Sequence, residues 1–135
     1  MHIRIPIRAG AEATLSFRCQ EGAYLLSATI SGQRPHFVVP GSDLHFYPEC
    51  GGVIVLPPIL PEVGSPSVNA GWEATYRLEY QQLMLVATYP ILRLAIPPWT
   101  APGGVLLDHP GVRRCLLLAA RGALGIRATG LPEQI

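Results

Sequence analysis

The most regular feature of this chain is an alternation of apolar and polar residues with a period of two. It runs from Ile3 to Ile7, from Ala13 to Cys19 and from Trp72 to Tyr80. Because successive side chains of a strand point to opposite faces of a sheet, each segment predicts a β-strand with one buried and one solvated face. Pro6 cannot donate a backbone hydrogen bond, so the first strand is expected at a sheet edge.

Shorter apolar runs extend this pattern, and each is bounded by residues typical of turns. They predict further strands at 23–30, 36–39, 44–47, 53–56, 83–88 and 91–96. Gln20-Glu21-Gly22 and Pro40-Gly41-Ser42-Asp43 have the composition of tight turns. The pattern indicates an all-β or β-dominated α+β fold, a mainly antiparallel barrel or sandwich in a single domain over 1–135.

One helix is predicted at 109–122, near the C-terminal end. Asp108-His109-Pro110 supplies a capping residue and a proline for the first turn, and Gly122 and Gly125 suit the end. Helical spacing places Val112, Cys115, Leu116 and Ala119 on the core side and Arg113, Arg114 and Arg121 on the opposite side. These three arginines are candidate interaction residues for an anionic group, and the alternative is an ordinary solvated face.

The segment 57–71 is rich in Pro, Gly and Ser and contains no predicted strand or helix. A loop of this length in a small domain usually has a function, so it is a candidate contact arm. Its alternative interpretation is a surface excursion stiffened by prolines. The strand and helix patterns around it predict one shared core that includes Trp72, Tyr76, Leu78 and Leu116.

Composition indicates that some apolar surface remains exposed. Hydrophobic residues make up 49% of the 135 residues and charged residues 14%. That is a high apolar content for a small domain with much surface to cover, and exposed apolar patches mark interfaces. We therefore expect a protein partner or a homo-oligomer.

Charge and cysteine content exclude several classes of partner and compartment. The net charge is +1 and the arginines are scattered, which does not favour nucleic-acid binding. Apolar stretches are short or interrupted by Pro90 and Gly122, so no membrane span is expected. Three cysteines without CxxC spacing and the absence of a visible export signal predict a cytoplasmic protein with reduced thiols.

The chain has ten cationic residues, and all of them are arginine. Without lysine there is no Schiff-base chemistry, no Ser-Lys hydrolase and no phosphate-loop lysine. Cys50, followed by two glycines, is the best candidate nucleophile, with His45 as its nearest base in sequence. His36, His45 and Cys50 do not have the spacing of a known zinc site, so no metal, cofactor or catalytic residue is predicted.

Arg4-Ile5-Pro6-Ile7-Arg8 resembles the R-x-x-x-R arm that precedes the first strand of PilZ domains. These domains are β-barrels that bind cyclic di-GMP. Their second motif, D/N-x-S-x-x-G, aligns with residues 29–34, where Ser31 matches and Thr29 and Arg34 replace the outer residues. The resemblance implies a ligand site at Arg4, Arg8 and Ser31.

The sequence thus predicts a non-catalytic interaction or structural module that assembles with itself or with a larger complex. Two alternatives remain open. One is a PilZ-like domain that binds a cyclic dinucleotide, and the other is a small cysteine-dependent enzyme.

Overall fold

The computed structural model describes residues 2–8, 11–31, 43–59, 65–67, 71–96, 100 and 103–125. These residues form two antiparallel sheets and two helices, so the prediction of a β-rich, antiparallel fold is confirmed. In chain order the elements are β1 (Ile3–Arg8), β2 (Ala11–Gln20), β3 (Ala23–Ser31), β4 (Leu44–Pro48), β5 (Ile54–Leu56), β6 (Ser65–Ser67), β7 (Gly71–Leu78), α1 (Tyr80–Thr88), β8 (Ile91–Ala95), β9 (Val105–Leu106) and α2 (Pro110–Ala123). The strand predicted at 36–39 lies outside the described residues.

The larger sheet has the order β1-β2-β3-β7-β6, and β1 lies at its edge as Pro6 predicts. Glu21 and Gly22 connect β2 to β3 with backbone φ angles of 51° and 79°. Positive φ at both central residues is typical of the two-residue turn whose twist matches that of a β-hairpin. This turn sets the register in which Arg18 faces Leu25 across the hairpin.

The smaller sheet has the order β5-β4-β8-β9. Gly104, with φ of 74°, precedes the short strand β9, and a Cβ atom there would lie 2.5 Å from the carbonyl oxygen of Leu94. Only glycine fits this close approach, which allows β9 to pair with β8.

Part of the segment 57–71 lies along the free edge of β7. Ser65–Ser67 forms β6, which pairs with the first three residues of β7. Pro58 forms a bridge to Tyr76, and the backbone N–H of Ile59 donates to the carbonyl of Thr75 at 2.9 Å. These residues therefore make contacts within the chain and cover an edge that would otherwise expose unpaired backbone groups.

The strand predicted at 83–88 is wrong, because these residues belong to α1, and the expectation of a single helix is wrong for the same reason. The backbone N–H of Glu79 donates to Oε1 of Gln82 at 2.8 Å, as in a capping box, and ends β7 there. Leu83, Val86 and Ala87 are buried at helical spacing. A short apolar run is compatible with both a strand and a helix, and here the capping box favours the helix.

The predicted C-terminal helix is α2, and His109 rather than Asp108 is its cap. Nδ1 of His109 accepts a hydrogen bond from the N–H of Gly111 at 3.0 Å. Leu116 and Ala120 are buried, whereas Cys115 is exposed, so the helix is rotated from the predicted orientation. Leu116 reaches the core because α2 packs against both α1 and the larger sheet.

One hydrophobic core joins both sheets and both helices. It includes Tyr76, Leu78 and Leu116, as predicted, while the side chain of Trp72 lies outside the described part of the structure. Among the helices described, none has the length and hydropathy needed to cross a bilayer.

Tyr76 is the largest fully buried side chain and brings a hydroxyl group into this core. Within the described residues its oxygen has no hydrogen-bond partner. Burial, with a smaller contribution from the carboxylate of Asp43, raises the pKa of this phenol above its usual range. The hydroxyl is therefore neutral, and no hydrogen bond from the described residues offsets its desolvation cost.

We expect Leu116→Ala to lower the free energy of unfolding by about 2–5 kcal/mol, since it leaves a cavity in the core. Cys115→Ala, its neighbour on the exposed side of α2, should change stability by less than about 0.5 kcal/mol. Urea denaturation measures both. Equal losses would show that α2 has a different rotation about its axis.

We expect Tyr76→Phe to keep or raise the free energy of unfolding, by up to about 1–3 kcal/mol, because it removes a buried hydroxyl without a partner and preserves the ring. Thermal and urea unfolding measure the change. A loss of more than about 1 kcal/mol would mean that the hydroxyl forms a hydrogen bond in the folded protein.

Candidate interaction surfaces

The outer face of the larger sheet is polar. In the register of β2, β3 and β7, Ser16, Ser27 and Thr75 form one cross-strand row, and Arg18, Leu25 and Arg77 form the next. Leu25 is 9% exposed, so neighbouring side chains cover most of this single large apolar group. This surface, which we call the polar face, has the composition expected of a sheet face in contact with water.

The outer face of the smaller sheet has a different composition. Alternation along β4 buries Leu44, Phe46 and Pro48, so His45 and Tyr47 lie on the opposite side. The register then adds Val55 beside His45, Arg93 beside Tyr47 and Leu106 beside Arg93. We call this surface, defined by His45, Tyr47, Val53, Val55, Arg93 and Leu106, the apolar face.

The exposed large apolar side chains of the described residues lie on the outer face of the smaller sheet and on or directly after α1. Within the described ranges, those exposed by more than a third are Val53, Val55, Tyr80, Leu85, Tyr89 and Leu106. Three of them belong to the apolar face and the others lie on or directly after α1. None of these six side chains lies on the polar face. The polar face therefore shows what a solvent-facing sheet surface of this chain looks like, and the outer face of the smaller sheet differs from it.

Helix α1 lies next to the edge strand β5. The side-chain amide of Gln82 donates through Nε2 to the carbonyl oxygen of Val55 at 3.0 Å. Gln82 therefore caps the start of α1 and binds β5 with the same side chain. This contact holds the start of α1 beside β5.

The three predicted interaction arginines occupy different environments. Arg121 is half-buried and donates through Nε to the carbonyl oxygen of Ala87 at 2.9 Å. Arg113 is half-buried and donates through Nε to the carbonyl oxygen of Leu107. Arg114 is exposed to solvent. Two of the three are therefore used, at least in part, to fix α2 against its neighbours.

Arg113 and Arg114 also border a surface cavity of about 280 Å³. Its lining consists of Glu49, Pro90, Pro110, Arg113, Arg114 and Leu117. The carboxylate of Glu49 lines the same cavity as these two guanidinium groups.

Arg4 and Arg8 both lie in β1, where the resemblance to PilZ domains places them before the first strand. Arg4 pairs with Thr14, and Ser31 pairs with Glu12 on the far side of β2. The Ser31 hydroxyl donates to the Glu12 carbonyl at 3.4 Å. Thr14 and Glu12 of β2 thus separate Arg4 from Ser31 on the same sheet face.

Cys50 is exposed in the turn that follows β4, and its thiol lies 3.8 Å from the carbonyl oxygen of Gly51. The His45 ring belongs to the apolar face and contacts Tyr47 edge-on, with ring centroids 6.3 Å apart. Within the described ranges, no three His, Cys, Asp or Glu side chains are close enough to hold a metal ion. His36 lies outside those ranges.

Comparison with known proteins gives no further assignment: no family model, no curated protein and no solved structure matches this chain significantly.

Apart from His45, the residues of the apolar face were not singled out by sequence patterns. Val53 and Val55 are exposed but alternate with Ile54 and Leu56, which are buried. Such an all-apolar run does not reveal which side faces outward. One feature of the sequence could have indicated this surface: the short strand at 53–56 has apolar residues on both of its sides. Such a strand is expected to be covered by protein on both sides.

We expect Arg121→Met to lower the free energy of unfolding by about 1 kcal/mol or more. The carbonyl of Ala87 is one of the last in α1 and has no partner within that helix, so the Arg121 guanidinium satisfies it. Arg114→Met on the same helix is the control and should have little effect, because Arg and Met have similar helix propensities. Equal effects in urea denaturation would contradict a specific role for the Arg121 contact.

Proposed function

We propose that this protein is a non-catalytic interaction module that assembles with a second copy of itself through the apolar face. The observation that carries the proposal is the contrast between the two outer sheet faces. One has hydroxyl and guanidinium groups, while the other exposes Val53, Val55 and Leu106 around a single arginine. Val55 and Leu106 lie on the two edge strands of this face, on either side of Tyr47 and Arg93. Exposed apolar groups gathered on one face and bordered by polar residues mark protein interfaces.

The composition of the apolar face also suits a contact surface. Tyr47 and Arg93 are neighbours in its central row. Tyrosine and arginine are enriched at protein interfaces, since each combines a large contact area with polar groups that orient the partner. The short strands β5 and β9 form the two edges of this face, and a second sheet packing on it would cover the side chains of all four strands.

The same interpretation extends to the arrangement of the two sheets. We propose that they pack face to face as a sandwich, because inner side chains of both enter one core. In this arrangement each sheet has one face in the core and one face free, and a second copy would cover the free face of the smaller sheet.

Size-exclusion chromatography with light scattering tests the proposal at micromolar concentration. We expect the wild-type chain to have the mass of a dimer or larger assembly, and Leu106→Glu to have the mass of a single chain, because it buries a carboxylate in the contact. Thr14→Glu places the same charge on the polar face beside Arg4 and should leave the assembly intact. A wild-type mass of one chain would contradict the proposal.

A further inference from the structure

One surface cavity lies on the polar face, away from the proposed contact surface. It has a volume of about 340 Å³ and is lined by Arg18, Gln20, Glu21, Ala23, Leu25, Ile59, Thr75 and Arg77. This size is at the lower end of ligand sites, so it suits a small molecule. Ile59 forms part of its wall because its backbone is held against Thr75.

Two guanidinium groups flank the floor of this cavity. Arg18 and Arg77 are the cross-strand partners of Leu25 on its two sides, which places their Cα atoms about two strand spacings, or roughly 10 Å, apart on one face. Leu25 is nearly covered although it lies on the outer side of the sheet. Arginine stems commonly cover apolar groups in this way and leave the charged heads accessible.

Arg18 is held in position by a hydrogen bond. Its NH1 donates to Oγ of Ser27 at 3.1 Å, and Ser27 lies on the central strand of the row. The guanidinium therefore leans over β3, towards the side on which Arg77 and the hydroxyl of Thr75 are located. Such positioning lowers the entropic cost of binding an anion between the two arginines.

The residues that line the cavity do not fully neutralise its positive charge. Among the described residues, no carboxylate forms an ion pair with Arg18 or Arg77. Glu21 lines the same cavity, so two arginines and one glutamate give it a net charge of +1. A net charge of +1 favours a ligand with one oxyanion group. A polyanion would place further negative charge close to Glu21, and the two would repel each other.

We infer that this cavity binds the phosphate group of a small molecule between Arg18 and Arg77. Guanidinium groups bind phosphate through paired, charge-assisted hydrogen bonds, and the hydroxyl of Thr75 adds a donor. Leu25 and Ile59 provide apolar contact for the carbon atoms of a phosphate ester. Ser27 is a positioning residue that acts through Arg18.

Isothermal titration calorimetry with inorganic phosphate and with glycerol 2-phosphate tests this site, with chloride used to keep the ionic strength constant. We expect saturable binding of at least one phosphate compound and a loss of about tenfold or more in affinity for Arg18→Gln and for Arg77→Gln. Tighter binding of glycerol 2-phosphate would support a phosphate monoester as the ligand, and equal binding would support free phosphate.

Three further variants separate this site from general charge effects. Glu21→Gln should strengthen phosphate binding because it removes a repulsive charge. Ser27→Ala should weaken binding, and Ser27→Thr should restore it by keeping the hydroxyl. Arg114→Gln, at an exposed position on α2, should leave binding unchanged. No saturable binding, or equal binding by the wild type and Arg77→Gln, would overturn the inference.

Discussion

The structure depends on one constraint: a sheet has two faces, and a single core covers only one face of each sheet. The inner faces of both sheets and the buried sides of α1 and α2 meet in that core. The two outer faces are left, and only the larger sheet has the polar composition that water favours. Among the described residues, three exposed large apolar side chains, Val53, Val55 and Leu106, lie on the outer face of the smaller sheet.

Arginine has a structural use in this lysine-free chain. Arg113 and Arg121 donate to backbone carbonyls of Leu107 and Ala87, which lie on two different segments beside α2. A planar guanidinium suits this use because it can satisfy a carbonyl and still keep other donors in water. Two of the arginines thus help to hold α2 in place. Two others, Arg18 and Arg77, lie in the same cross-strand row of the polar face.

Period-two alternation predicted β1, as an edge strand, β2 and β7, and the pattern of apolar runs between turn residues predicted β3, β4, β5 and β8. It failed at 83–88, because a short apolar run has no intrinsic preference and the contact between Glu79 and Gln82 selects the helix. The site was harder to predict, since Arg93 becomes a neighbour of Tyr47 and Leu106 only through pairing between strands distant in sequence. Cys115 shows a related limit: helical spacing predicts a helix, whereas packing against α1 determines its rotation.

We propose that the apolar face is a contact surface in solution. A dilution series followed by methyl NMR tests this residue by residue, with the methyl groups of Val53, Val55 and Leu106 as reporters and those of Thr14 and Thr29 on the polar face as references. We expect concentration-dependent shifts at the three reporters and constant shifts at the two threonines. Constant shifts at the reporters, or changes at the threonines instead, would contradict it.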